Sequence, residues 1–228
     1  MKSRGRDGVV SVLKRLRRRE EPTSRPVKVV GKFVEVSKEP RKLDGKLQVF
    51  FMGAEYCPFS AAERWAVVRG LQKFGQWNGL KQTMSAARDE PFLNLPTYDF
   101  TEATYASPQI EFVARELKTR EFKPLQKLMK NEEKLVRKYN TKMEIPFLLV
   151  GGRFMQIGAG FSPKIFIGHT FRQTETELKK IESEIRKTID AEGNIIAALL
   201  CASGLPPELC KETGVAELVA QAKTKLTA

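Results

Sequence analysis

The stretch that most constrains this chain is Leu47-Gln48-Val49-Phe50-Phe51-Met52, apolar at almost every position and of strand length. Apolar residues at both odd and even positions mark a strand buried on both faces, because successive side chains point to opposite sides. It runs directly into Gly53-Ala54-Glu55-Tyr56-Cys57-Pro58-Phe59-Ser60, and a helix is predicted from Ala61 to about Gly75. Within that helix Ala62, Trp65, Val68, Leu71 and Phe74 recur at three- and four-residue spacing, the period of one helix face. Cys57 therefore stands on the turn between a buried strand and a helix start, with Pro58 at the first helical position. Unpaired amide N–H groups and the helix dipole point at such a turn, so the expectation is a thiolate favoured over a thiol.

The rest of the chain reads as alternating short elements. Val27–Val36 alternates apolar and polar residues, as in an edge strand or hairpin arm. Pro96–Thr101 is predicted to be a strand; Ile110–Leu117 fits strand or helix equally; Leu125–Tyr139 reads as a helix. Ile145-Pro146-Phe147-Leu148-Leu149-Val150, then Gly151-Gly152, then Arg153–Ile157 reads as a β-hairpin whose first strand is opened by proline. Thr174 followed by Glu177 suggests a capping box for a helix to about Asp190. Asn194–Cys201 and a last helix around Val215–Leu226 follow, and there is no internal repeat.

Composition removes whole classes of chemistry. The one histidine, His169, excludes His-rich metal sites and reads as a surface or packed residue. Cysteines at 57, 201 and 210 contain no Cys-x-x-Cys pair, which excludes a zinc ribbon or an iron–sulfur cluster held within one chain. Neither a P-loop nor a Rossmann glycine pattern is present. No metal or cofactor is expected. No apolar run approaches the roughly 18 to 20 residues of a membrane span, and the expected location is the cytoplasm.

The net charge of +13 is unevenly spread. Residues 1–46 hold fifteen of the 40 Lys and Arg and six of the 27 Asp and Glu, so they carry +9. Val9, Val10, Leu13 and Leu16 recur at helical spacing beside Lys14, Arg15, Arg17, Arg18 and Arg19, suggesting a short basic amphipathic helix ended by Pro22. Such an arm can meet nucleic acid or an anionic membrane surface through phosphate attraction. The plain alternative is a solvated, partly disordered tail. The division expected is a basic arm over 1–26, a domain over 27–210 and a C-terminal helix over 211–228.

Tyr56-Cys57-Pro58-Phe59-Ser60 between strand and helix, followed by Ile145-Pro146-Phe147 opening a hairpin and a final helix, resembles the thioredoxin superfamily. More closely, Gly53–Gly75 and the Asn194–Cys210 tail resemble an archaeal thioredoxin-like family, domain of unknown function 929. The resemblance covers roughly Leu47 to Cys210. It implies an α/β fold with a thioredoxin-like central mixed sheet flanked by helices and a helical C-terminal extension. It also implies that Pro146 is cis and faces Cys57, and that Ile145 hydrogen-bonds an extended partner. Tyr56, Pro58 and Phe59 would line the same binding surface. Read without the resemblance, Pro146 is only a strand-start proline.

Two departures from the superfamily pattern bear on chemistry. The usual second cysteine is Ser60, whose hydroxyl cannot resolve a mixed disulfide. The buried acid carried six residues before the first cysteine is Phe51 here. Reduction of the dithiol kind is therefore not expected. Monothiol work survives: Cys57 attacks a disulfide, holds a mixed disulfide with a protein or small thiol, and an outside thiol releases it, with Ser60 bonding the thiolate. An isomerase-like role needs only one attacking thiol. The other function considered is a non-enzymatic module that binds a peptide beside Pro146 and nucleic acid through the basic arm. The turn Gly204-Leu205-Pro206-Pro207 can bring Cys201 and Cys210 within bridging distance, and the archaeal resemblance makes an intracellular disulfide admissible. The pair is expected to be structural.

Overall fold

The computed structural model describes residues 27–28 and 30–227. The basic segment holding Lys14, Arg15, Arg17, Arg18 and Arg19 lies outside the described residues. The elements in order are β1 (Val27–Lys28), β2 (Val34–Glu35), β3 (Lys42–Leu43), β4 (Lys46–Gly53), α1 (Pro58–Leu71), β5 (Gln76–Asn78), β6 (Lys81–Met84), β7 (Pro96–Asp99), β8 (Thr104–Ala106) and β9 (Ile110–Glu116). Then come α2 (Lys130–Tyr139), β10 (Phe147–Val150), β11 (Phe154–Ile157), a 3-10 turn at Pro163–Phe166, α3 (Phe171–Lys179), α4 (Glu184–Ala202), α5 (Pro207–Glu212) and α6 (Ala216–Thr227).

The apolar run becomes the central strand of a mixed sheet. β4 pairs antiparallel with β10, with Met52 opposite Phe147 and Val49 opposite Val150. On its other edge it pairs parallel with β9, from Leu47 opposite Ile110 to Gly53 opposite Glu116. β10 continues to β11, β2 and β1, all antiparallel. The parallel pairing decides what sequence left open: Ile110–Glu116 is a strand, because the crossover through α1 delivers it beside β4.

Burial alternates along β4 as the pleat requires. Val49 and Phe51 join Leu148, Val150, Val68, Leu71 and Ile196 in the cluster under α1 and α4. Phe50 and Met52 join Phe147, Leu149 and Val136 in the cluster under α2. Helices thus cover both sheet faces, giving a mixed α/β fold. α1 and α4 approach closely at Gly70 and Gly193, where a Cβ on Gly70 would stand 2.8 Å from the Gly193 carbonyl oxygen. Between α1 and β9 come two small antiparallel sheets, β5–β8 and β6–β7; β7 packs on α1, and β8 packs on β9, where Trp77 of β5 meets Phe112. The indole of Trp65 donates to Pro96 O at 2.9 Å and packs on Tyr98, Phe166 and Phe171.

Four expected boundaries are corrected. α1 starts at Pro58 and ends at Leu71, so Phe74 packs from the turn beyond it. Residues 125–129 are not helical: Leu125 N–H donates to Leu117 O and Gln126 N–H to Glu116 O, tying them to the end of β9. The capping box is made by Thr170 and Gln173, not Thr174 and Glu177; Thr174 is buried inside α3. The chain breaks at Lys180–Ser183, and Asn194–Cys201 is the second half of α4 rather than a separate element.

Candidate functional site

The turn that leaves β4 is built around one carbonyl. Ala54 O accepts the Cys57 N–H at 3.2 Å and Nη2 of Arg64 at 2.8 Å. Cys57 is the N-cap of α1, in extended backbone conformation, with Pro58 following. Its sulfur accepts the Ser60 N–H at 3.4 Å, taking a donor that the first helical turn leaves unpaired. Neighbouring segments clamp the turn: Gly53 O accepts Leu117 N–H at 2.8 Å, Glu55 N–H donates to Lys118 O at 3.0 Å, and Tyr56 O accepts Ala86 N–H at 3.0 Å. Tyr56 stacks near Phe122, with ring centroids 4.6 Å apart, while Phe59 is exposed beside Phe92.

Cys57 is a free cysteine only 5% exposed. Burial pushes its thiol up, against the Ser60 side chain, the Ser60 and Phe59 backbone N–H groups and the Arg64 charge, all of which favour the thiolate. This corrects the expectation of a thiol ionised by the helix start: desolvation outweighs the helix terminus because the turn is sealed on several sides. Ser60 is fully buried, and its hydroxyl makes no hydrogen bond in the resting structure. It fits beside Gly53, where a Cβ would collide with the Phe51 ring at 2.6 Å.

Sequence reasoning missed the ion pair beneath the thiol. Arg64 donates Nε to Glu116 Oε1 at 2.9 Å and Nη2 to Oε2 at 2.7 Å, and both side chains are fully buried. Nη1 of Arg64 has no partner. Removing one member of such a pair typically costs about 3–5 kcal/mol, because the other charge stays buried. Arg64 lies seven residues beyond Cys57, two turns on along one helix face, which was a usable signal. Glu116 had none, since only the β4–β9 register brings it to Gly53. A buried acid is thus present near the thiol although Phe51 occupies the expected position.

Ile145–Pro146 is a cis peptide. Pro146 lies one position before Phe147, the partner of Met52, so it sits at the end of the sheet from which the Cys57 turn departs. Its carbonyl accepts Gly158 N–H at 2.8 Å. Asn140, nearly fully buried, holds the approach to Ile145 through bonds to Glu144 O and Glu144 N–H at 2.7 and 3.0 Å. The structure therefore gathers Tyr56, Cys57, Pro58, Phe59 and Ser60 on one turn and sets Ile145 and Pro146 at the same sheet end.

Cys201 and Cys210 form a disulfide, Cα atoms 5.8 Å apart. They stand at the other end of β10: a Cβ on Gly151 would meet Ser203 just beyond α4. That separates the bridge from Cys57. Among the described residues no group of three or more His, Cys, Asp or Glu side chains is placed to hold a metal ion, and no helix is long and apolar enough to cross a membrane.

α1 carries a buried acid of its own, Glu63. Glu63 accepts Gly160 N–H at 2.9 Å, and its carboxyl is pushed up to about 8 by burial and by neighbouring Glu192 of α4. Glu192 is likewise raised by burial, and one oxygen of each carboxyl is without a partner.

A protein-family model whose description reads "Domain of unknown function (DUF929)" matches residues 32–202, which run from the β1–β2 turn to the end of α4. No curated protein and no solved structure matches the chain.

Proposed function

Because the chain belongs to the DUF929 family, whose description names no activity, we propose its function from the thiol turn: a thioredoxin-like monothiol protein in which Cys57 forms mixed disulfides with a protein or small-molecule partner. The observation that carries this reading is the placement of the one free cysteine among the described residues. It caps α1 at the sheet end where cis-Pro146 opens β10, with an uncommitted Ser60 hydroxyl and the Arg64 charge beside it.

The step is an exchange. The Cys57 thiol loses its proton to solvent, and the thiolate attacks one sulfur of a partner disulfide. That S–S bond breaks and the other sulfur leaves as a thiolate, which takes up a proton. One disulfide is consumed and one is formed, so no external oxidant is needed. An outside thiol then attacks the mixed disulfide and restores Cys57, since Ser60 cannot. Ser60 and Arg64 stabilise the sulfur while it is ionised. Tyr56, Phe59 and the backbone of Ile145 form the surface against which the partner is held; Pro58, expected on that surface, is instead buried in the first turn of α1.

Because burial keeps Cys57 protonated near neutrality, the exchange is slow there and accelerates in alkali. Alkylation of the native protein with iodoacetamide should give a pH–rate midpoint above that of free cysteine, about 8.5. Ser60→Ala should move the midpoint higher still. Incubation with an aromatic disulfide should give one adduct at Cys57 by peptide mass, reversed by added thiol and absent in Cys57→Ser. A native protein in which Cys57 takes no adduct at any pH short of unfolding overturns the reading and leaves Cys57 a packed core residue.

A further inference from the structure

At the opposite end of β10 from Pro146, a cleft of about 600 Å3 opens between β3 and α2. Arg41 and Lys42 line one wall, Lys134 and Lys138 the other, with Tyr139 and a single carboxylate, Glu39. Among the described residues none of the four cations takes part in a salt bridge. Lys138 instead places its ammonium 4.8 Å from the Tyr139 ring centre.

One wall is fixed in advance by the fold. Arg41 N–H donates to Gly151 O at 2.9 Å, Arg41 O accepts Gln48 N–H at 2.9 Å, and Arg41 Nε donates to Oε1 of buried Gln48 at 2.7 Å. Gly152 closes on this residue so tightly that a Cβ there would stand 2.1 Å from Arg41 Cβ. The Gly151-Gly152 turn thus serves Arg41 as well as the hairpin. Held through Nε, the guanidinium keeps its two terminal amines for a ligand, the fork geometry that suits phosphate oxygens. On the facing wall Lys134 and Lys138 stand four residues apart on α2, about 6 Å along its axis. The helix is anchored beneath by Glu132, which takes both Nε and Nη2 of Arg115 at 2.9 and 2.6 Å.

We propose that this cleft binds the phosphodiester backbone of a single-stranded nucleic acid. Four cations against one carboxylate call for a polyanion. They come as two pairs from two separate segments that line the cleft, Arg41 and Lys42 at β3 and Lys134 and Lys138 on α2, which suits successive phosphates better than a lone phosphate group. A volume of about 600 Å3 is that of a small-molecule site and holds a short stretch of one strand rather than a duplex. The overall charge of +13 adds long-range attraction for the same class of ligand.

The test uses the full chain and labelled 12-nucleotide single strands of mixed sequence, read by fluorescence anisotropy across a salt series. Lys134→Gln with Lys138→Gln should weaken binding at least tenfold at low salt and lower the slope of log affinity against log salt by about 1.4, at about 0.7 per phosphate contact for single strands. The control pair Lys164→Gln with Lys179→Gln removes the same charge from exposed positions elsewhere and should change both far less. Equal loss in the two pairs, or no binding by the wild-type chain, overturns the assignment. So does displacement of the strand by inorganic phosphate or a nucleoside monophosphate at the strand's own concentration, which would make the ligand a small phosphate. The Cys57 adduct is scored separately, and neither result bears on the other.

Discussion

At the scale of single residues, the unusual chemistry of this protein is the burial of charge along one helix. Glu63 and Arg64 are adjacent, both fully buried, and face different partners: Glu192 with Gly160, and Glu116 with Ala54. The ion pair keeps Arg64 charged, although its Nη1 has no partner, whereas Glu63 has only one donated hydrogen bond and a like-charged neighbour, so it stays protonated to about pH 8. In the unfolded chain a glutamate titrates near 4.3. A folded-state value raised above the unfolded one stabilises the fold fully below about pH 4, and that contribution is lost as pH rises to about 8. Lys32, which donates to Ala159 O at 2.6 Å, and Gln156 of β11 are the other polar groups acting on the pair, and both favour ionisation. Glu63→Gln should therefore flatten the fall in stability between pH 5 and pH 8.5, measured by urea unfolding at both values. An unchanged difference between the two pH values would mean that Glu63 is ionised in the folded protein. In sequence only the spacing of Arg64 from Cys57 hinted at any of this; the burial of Glu63 and the partners of both side chains left no local signal.

At the scale of elements, local signals did well where the element makes its own boundary. The buried strand β4, the proline-opened hairpin β10–β11 and the capped helix start at Cys57 all follow from alternation, turn glycines and a cap. They did poorly where a distant partner decides. Residues 125–129 have helical composition, yet the N–H groups of Leu125 and Gln126 are taken by the end of β9. Ile110–Glu116 became a strand only because β4 lay open beside it. The packing of α1 on α4 gives a test at this scale. Gly→Ala in an exposed helix interior gains up to about 1 kcal/mol from propensity. At Gly70 the added methyl meets the Gly193 carbonyl and Ile196, and overpacking of this kind costs about 1–3 kcal/mol. Gly70→Ala should therefore lower the melting temperature; a rise would show that the two helices can separate without loss.

At the scale of the whole molecule, the two ends of the sheet carry different features. The thiol turn and Pro146 lie at one end; the Cys201–Cys210 bridge, the Gly151-Gly152 turn and the basic cleft lie at the other. The bridge ties the end of α4 to α5, from which the chain runs on to α6, packed on α4. A closed loop of this length stabilises a fold by roughly 2–3 kcal/mol. Cys201→Ser with Cys210→Ser should lower unfolding free energy by about that amount while leaving the alkylation midpoint of Cys57 where it was; a shifted midpoint would show that the two ends communicate. Sequence by itself determined the strand, the turn and the capped helix, because periodicity and turn chemistry act within a few residues. It determined as well that no second cysteine stands three residues after Cys57, because that position is Ser60. Only the tertiary structure decided which charges are buried, which carboxylate meets Arg64 and whether the thiol is ionised. Desolvation depends on what segments fifty or a hundred residues away lay over a group, and no local pattern records that.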